Sequence, residues 1–174
     1  TTSPVMHALE RYTGVLFDGL DAERLPVPAR RFAAEHVVIH SALFGIVRAD
    51  DPIPAYRLSH DSRLPGASLR SVWRAPVSAV LAAQSGLVLD LRSESYAALG
   101  PAGPASTYLR VVSEDARGRR VALSHFNKKA KGEFTRALLI AGIDHGSADD
   151  LVVWARTAGW RLEAGAAGEL DLVV

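Results

Sequence analysis

The chain has 174 residues, 48% hydrophobic and 22% charged, with a formal net charge of +1. That length suits one domain with its own core, and the balance of apolar to charged residues excludes disorder and collagen-like repeats. Zero cysteines remove disulfides, thiolate nucleophiles and cysteine metal ligands together.

At the start, Ser3-Pro4 fits a helix cap followed by proline at the first helical position, predicting a short helix to about Arg11. No basic stretch leading into an apolar one is visible over residues 1–11, so no secretory leader is expected. Pro26 and Pro28 bracket a turn, after which Phe32, Ala33, His36, Val37 and His40 recur at helical spacing and predict a helix over 29–41. Residues 44–66 lose all periodicity and collect Gly45, Pro52, Pro54, Pro65 and Gly66, which predicts a long irregular segment of the kind that often carries function.

A helix is expected over 68–84, with Leu69, Val72, Trp73, Val77, Val80 and Leu81 inward and Pro76 kinking it or marking its start. The apolar stretch 75–89 is too short and too interrupted to span a bilayer, so the chain is not expected to be a membrane protein. Residues 87–91 suit a buried strand, and 107–112 with 120–126 suit a hairpin turning at Gly118. Residues 132–141 carry Phe134, Ala137, Leu138 and Ala141 on one face, and Ser147 can cap a helix to about 158 with Asp149 and Asp150 in its first turn. Residues 160–162 and 170–174 read as a last hairpin. The expected class is a single mixed α+β domain over 1–174, with hairpins in an antiparallel or mixed sheet.

The phosphate-loop, dinucleotide and HExxH patterns are absent. His36 and His40 have the spacing of two helical metal ligands, but no third ligand is near, and packing on a helix face is the favoured reading. Neither metal nor cofactor is expected. Ser124-His125 is adjacent in sequence, which does not make a triad.

Three segments stand out. The loop around Ser41 to Arg48, followed by Tyr56 and Arg57, places an aromatic and two guanidiniums in a Pro/Gly-shaped segment suited to planar or anionic ligands. Asp90-Leu-Arg92-Ser93-Glu94-Ser-Tyr96 clusters polar groups directly after a buried strand. All three lysines of the chain, Lys128, Lys129 and Lys131, lie in one run among 17 arginines. Where arginine is otherwise preferred, a retained ammonium points to a use for a compact charge with a shiftable pKa. Placed at a helix start, the run makes an anion site.

With Tyr12-Thr-Gly14, Asp18-Gly-Leu20, Ser41-Ala-Leu-Phe-Gly45, Tyr56-Arg-Leu58, Trp73, Leu89-Asp-Leu-Arg-Ser93, Tyr96, Ser124 to Gly132 with Arg136, and Gly159-Trp160, the sequence resembles the bacterial YaaA peroxide-stress family along almost its whole length. The resemblance implies a cytoplasmic protein that limits oxidative damage when peroxide meets iron. It also implies a positively charged cleft and DNA binding by a helix-hairpin-helix element, mapping here to 132–141, the turn 142–146 and 148–158. Such a turn usually has glycine on both sides of an apolar residue; here Gly142-Ile143 is followed by Asp144, whose carboxylate repels phosphate. The family also implies an N-terminal portion ahead of Tyr12, making a separate N-terminal fragment a possible partner.

Two functional readings and one structural reading follow. In the first, Lys128, Lys129, Lys131 and Arg136 contact DNA phosphates without base specificity, with Arg48, Arg57, Arg92, Ser93 and Tyr96 completing a basic cleft. In the second, the chain is an enzyme on a small anionic or nucleobase-like ligand. Lys128 or Lys129 is then base or nucleophile, Arg57 or Arg92 clamps an anion, and Tyr56, Tyr96 or Glu94 stacks or moves a proton. In the third, the cleft is a groove without a ligand.

Overall fold

A computed structural model of the chain describes residues 3–116, 119–122 and 126–174. Its N-terminal half is built from two short antiparallel ribbons wrapped by helices. Strand β1 (Val5–His7) pairs with β4 (Pro52–Pro54), and β2 (Val38–Ser41) pairs with β3 (Gly45–Arg48) through a tight turn. Between β1 and β2 come α1 (Ala8–Arg11), α2 (Val15–Leu20), a single 3-10 turn (Ala22–Arg24) and α3 (Val27–His36). The turn between β2 and β3 is pinned by Trp73, whose indole N–H donates to the Ala42 carbonyl at 2.8 Å. Gly45 takes φ +76° there, and a Cβ on it would lie 2.6 Å from the Trp73 ring, so glycine is required twice over.

Trp73 comes from α4 (Leu69–Ala82), which starts where local chemistry says it should. The Ser68 hydroxyl accepts from the Ser71 N–H at 3.0 Å, and the Ser68 N–H donates to the Ser71 hydroxyl at 3.2 Å. Leu69, Val77 and Leu81 are buried. The helix continues through Pro76, and Val72 and Val80, expected inside, are exposed.

The C-terminal half is a mixed sheet in the order β5 (Val88–Asp90), β6 (Ser106–Glu114), β9 (Glu169–Val173), β8 (Leu162–Ala164), with β7 (Arg120–Ala122) also on β6. β6 runs parallel to both β5 and β9, while the β6–β7 and β8–β9 pairs are the two expected hairpins. β5 meets β6 at 106–108 and β7 meets it at 112–114, so the two share one edge while β9 takes the other. One face of this sheet is covered by α6 (Phe126–Ala141) and α7 (Ala148–Thr157). Leu109, Val111, Leu170 and Leu172 of the sheet meet Ala130, Phe134, Leu151 and Ala155 of the helices in one core. A short turn α5 (Glu94–Ala97) leaves β5.

α6 also joins the halves. Arg136 donates to the carbonyls of Leu20, Asp21 and Arg24 at 2.9, 2.7 and 3.1 Å, satisfying groups left open where α2 and the 3-10 turn end. Gly132 of α6 lies directly on Gly19 of α2.

Four expectations are corrected. The opening residues form strand β1 and a one-turn helix rather than one longer helix. The helix expected to reach 41 ends at His36, because Val37 is extended (φ −103°, ψ 127°) and the branched residues Val38 and Ile39 continue as a strand. The segment 44–66 contains β3 and β4. α6 begins at Phe126, six residues before the expected start, so Lys131 lies beyond the helix's first turn.

Candidate functional site

The cluster assembles where β5 ends. Asp90 is 8% exposed and holds Arg92 by three bonds: the guanidinium donates to Oδ1 at 2.8 Å and Oδ2 at 2.7 Å, and the Arg92 backbone N–H donates to Oδ1 at 3.0 Å. Burial pushes the Asp90 carboxyl up, but the hydrogen bonds and charge of Arg92, with Lys131 adding to them, outweigh it and hold the group below its ordinary value. The same guanidinium donates to the Gly100 carbonyl at 2.9 Å and meets His40 Nδ1 at 3.1 Å. A guanidinium has no lone pair to offer, so His40 Nδ1 accepts and the ring proton sits on Nε2. Burial, then the Arg92 charge, lowers the His40 pKa to about 4, which keeps the imidazole neutral. Its Nε2–H is buried without a partner among the described residues, and the Tyr96 ring stands edge-on to it at 5.4 Å.

At the same strand end lies Lys131, 5% exposed. Its ammonium donates to the carbonyls of Leu91 at 3.2 Å and Arg92 at 3.5 Å and sits 4.7 Å above the Tyr108 ring, whose hydroxyl also donates to the Arg92 carbonyl at 2.9 Å. Burial lowers its pKa to about 8, against the opposing pull of Asp90 and Glu94.

Facing Tyr96 is a group of hydroxyls and rings. Tyr56 bonds to both Tyr12 and the buried Ser41 through hydroxyls 2.6 Å apart in each case, Phe44 packs edge-on to Tyr56, and His60 lies 5.5 Å from the Tyr96 ring. Burial, with Tyr56 and Asp61 nearby, raises the Tyr96 pKa, so its hydroxyl stays protonated.

Of the residues singled out in the sequence, Arg92, Tyr96, Tyr56 and Lys131 come together here. Ser93 caps α5, its hydroxyl accepting from the Tyr96 N–H, and Glu94 points outward, 3.5 Å from Arg110. Arg48 sits apart, donating to the Ala34 and Glu35 carbonyls at the end of α3. Arg136 is committed to α2, and Lys129 pairs with Glu133 at 3.5 Å. Of these candidate cations, Arg48, Arg92, Lys131 and Arg136 are taken up within the fold, while Lys129 stays largely exposed and Arg57 and Lys128 are exposed without a side-chain bond among the described residues. His36 ends α3 and His40 lies on β2, so they share no helix face, and no group of three or more His, Asp or Glu arranged for a metal occurs among the described residues. Ser124 and His125 lie outside the described residues. No helix among the described residues is long and apolar enough to cross a membrane.

Sequence reasoning did not place His40, Tyr12, His60 or Tyr108 in the site, and it included Asp90 in a candidate segment without giving it a role. One signal for Lys131 was present: positions 131, 134, 135 and 138 fall on one helical stripe with Phe134 and Leu138, which puts that lysine on the buried face.

The family model described as peroxide stress protein YaaA matches residues 1–166. A UPF0246 protein of Corynebacterium glutamicum (strain R) is 42% identical over 167 residues, covering 93% of this chain and 66% of that protein. A UPF0246 protein of Streptomyces coelicolor is 43% identical over 167 residues (94% and 64%), and one of Roseobacter denitrificans is 32% identical over 143 residues (74% and 54%). The chain belongs to the YaaA peroxide stress protein family. It spans about two thirds of the length of the Corynebacterium and Streptomyces relatives.

Proposed function

We propose that the chain serves the peroxide stress response as a cytoplasmic protein that binds a small anionic or nucleobase-like ligand against the cluster at the end of β5. Three charged side chains, Asp90, Arg92 and Lys131, are withdrawn from water at the end of β5, where Arg92 meets His40 and His40 meets the half-buried Tyr96 ring, and this observation carries the reading. Removing charges from water costs several kcal/mol per ion before pairing offsets it, and such arrangements recur at functional clefts. In this role Asp90 and Arg92 set the orientation of His40, Lys131 fixes the backbone that follows β5, and the part-exposed rings of Tyr56, Tyr96 and His60 meet the ligand.

The reading is tested by complementation of a peroxide-sensitive bacterium that lacks its own family member. Asp90→Asn and Lys131→Met, each checked for folding by circular dichroism, are expected to lose protection. Parental survival with both folded variants would overturn the reading.

A second reading, non-specific DNA binding through a basic surface and the α6–α7 hairpin, is favoured by the placement of Lys128 and Lys129 on the solvent side of the first turn of α6, Lys129 with 62% of its side chain exposed. Burial of Lys131, commitment of Arg136 and the position of Asp144 count against it.

A further inference from the structure

A groove apart from the β5 cluster runs between α3 and the turn joining β3 to β4, with a volume of about 300 Å³, the lower end of the range that small-molecule sites occupy. One wall is helical: Val27, Arg30, Arg31 and Ala34 recur at i, i+3, i+4 and i+7 and so share one side of α3. The other wall is the turn at Ala49 and Asp50. It is tied to the start of α1, where the Leu9 N–H donates to the Ala49 carbonyl and the Ala8 N–H to the Asp51 carbonyl, both at 2.9 Å. The floor is apolar, since Leu9 and Ala49 are buried, and Val27 stands 63% exposed beside it.

The charges lining this groove are of two kinds. Arg30 ties α3 to α1: its guanidinium pairs with Glu10 and donates to the carbonyls of Leu25 at 3.2 Å and Glu23 at 2.7 Å. Arg31 and Asp50 enter from opposite walls, exposed, and neither pairs with the other or holds a side-chain bond among the described residues. From this arrangement we infer that the groove binds a small zwitterion with an apolar body, an amino acid or its chemical equivalent, its carboxylate taken by Arg31 and its ammonium by Asp50. A guanidinium has only donors and a carboxylate only acceptors, so the two ends of the ligand cannot be exchanged. Its body lies over Leu9 and Ala49 and covers Val27, removing apolar surface from water. The same pair of charges selects against a simple anion, which would sit beside Asp50, and against a simple amine, which would sit beside Arg31. None of these residues belongs to the cluster at the end of β5, so the groove is a second site whose fate is independent of the first.

The test is an NMR titration of ¹⁵N-labelled protein, read at the Leu9, Ala34 and Ala49 amides, with probes of one shape: L-leucine, isocaproate lacking the amine, and isoamylamine lacking the carboxylate. L-leucine is expected to move these amides and to bind roughly tenfold more tightly than either one-ended probe, the scale of one hydrogen bond to a charged group. Arg31→Met should weaken L-leucine and isocaproate about tenfold without weakening isoamylamine. Asp50→Asn should weaken L-leucine and isoamylamine without weakening isocaproate. Both side chains are exposed and unbonded among the described residues, so neither change threatens the fold. Equal binding of the probes by the parent, a variant that weakens both one-ended probes alike, or amides that stay in place with L-leucine overturns the inference.

Discussion

Gly19 and Gly132 bring α2 and α6 into backbone contact: a Cβ on Gly132 would lie 2.0 Å from the Leu16 carbonyl oxygen and 3.0 Å from the Gly19 carbonyl carbon, and one on Gly19 would lie 2.6 Å from the Lys129 carbonyl oxygen. The atoms in the way are backbone, so no side-chain rotation relieves either clash. This crossing, with Arg136 beside it, fixes the helix that carries Lys131 relative to the N-terminal half that carries Tyr12.

Gly132→Ala is therefore expected to destabilise the protein by about 3 kcal/mol or more, the upper end for overpacking, in spite of alanine's better helix propensity. Urea unfolding measures it. A variant as stable as the parent would mean that α2 is free to slide on α6.

Lys131 makes stability depend on alkaline pH in a definite direction. The amine titrates at about 8 in the folded chain and at its ordinary value of 10.5 when unfolded, so between these limits the unfolded chain binds the extra proton and stability rises with pH. Below pH 8 the folded protein bears the whole cost of a buried charge. Comparing the parent with Lys131→Met, the stability difference should move in favour of the parent by up to about 3 kcal/mol from pH 8 to 10.5. A flat difference would mean that the ammonium is solvated.

For DNA, the geometry lowers the number of available phosphate contacts. Four cations were candidates in the sequence, but Lys131 is buried and Arg136 is bound to carbonyls, leaving Lys128 and Lys129. Log affinity against log salt should then fall with a slope of about −1.8 rather than about −3.6. Lys128→Gln with Lys129→Gln should flatten it. A slope steeper than about −3 would show that other cations, such as Arg57, meet the duplex.

Features governed by neighbours in sequence were legible: the Ser147 cap, a strand ending at Asp90, though half-buried at the sheet's edge rather than buried, and both hairpins of the sheet each follow from a few adjacent residues. Features decided by distant partners were not. His40 shares helical spacing with Phe32 and His36, yet it belongs to a strand because the branched residues from Val37 onward favour extended backbone and find β3 to pair with. The lysine run reads as a solvated face since nothing local distinguishes Lys131 from Lys128; only its place on the Phe134 stripe does. In the site, Tyr56, Arg92 and Tyr96 stood out by residue type. Their meeting with Tyr12 and His40 depends on three separate turns of chain that no spacing reveals.

The placement of β6 between β5 and β9 has a consequence for synthesis. As the polypeptide leaves the ribosome, residues 88–90 and the 106–122 hairpin are available early, and one border of the sheet can form at once. The opposite border of β6 stays without a hydrogen-bonding neighbour until α6, α7, β8 and finally residues 169–173 have emerged. Throughout that interval the nascent chain presents Leu109 and Val111 beside a row of open amides and carbonyls, the combination that recruits other strands. Quality control by chaperones thus has its natural target in the interval between translation of residue 114 and of residue 169, and a ribosome stalled within it would leave a chain prone to pair with its neighbours on the same message.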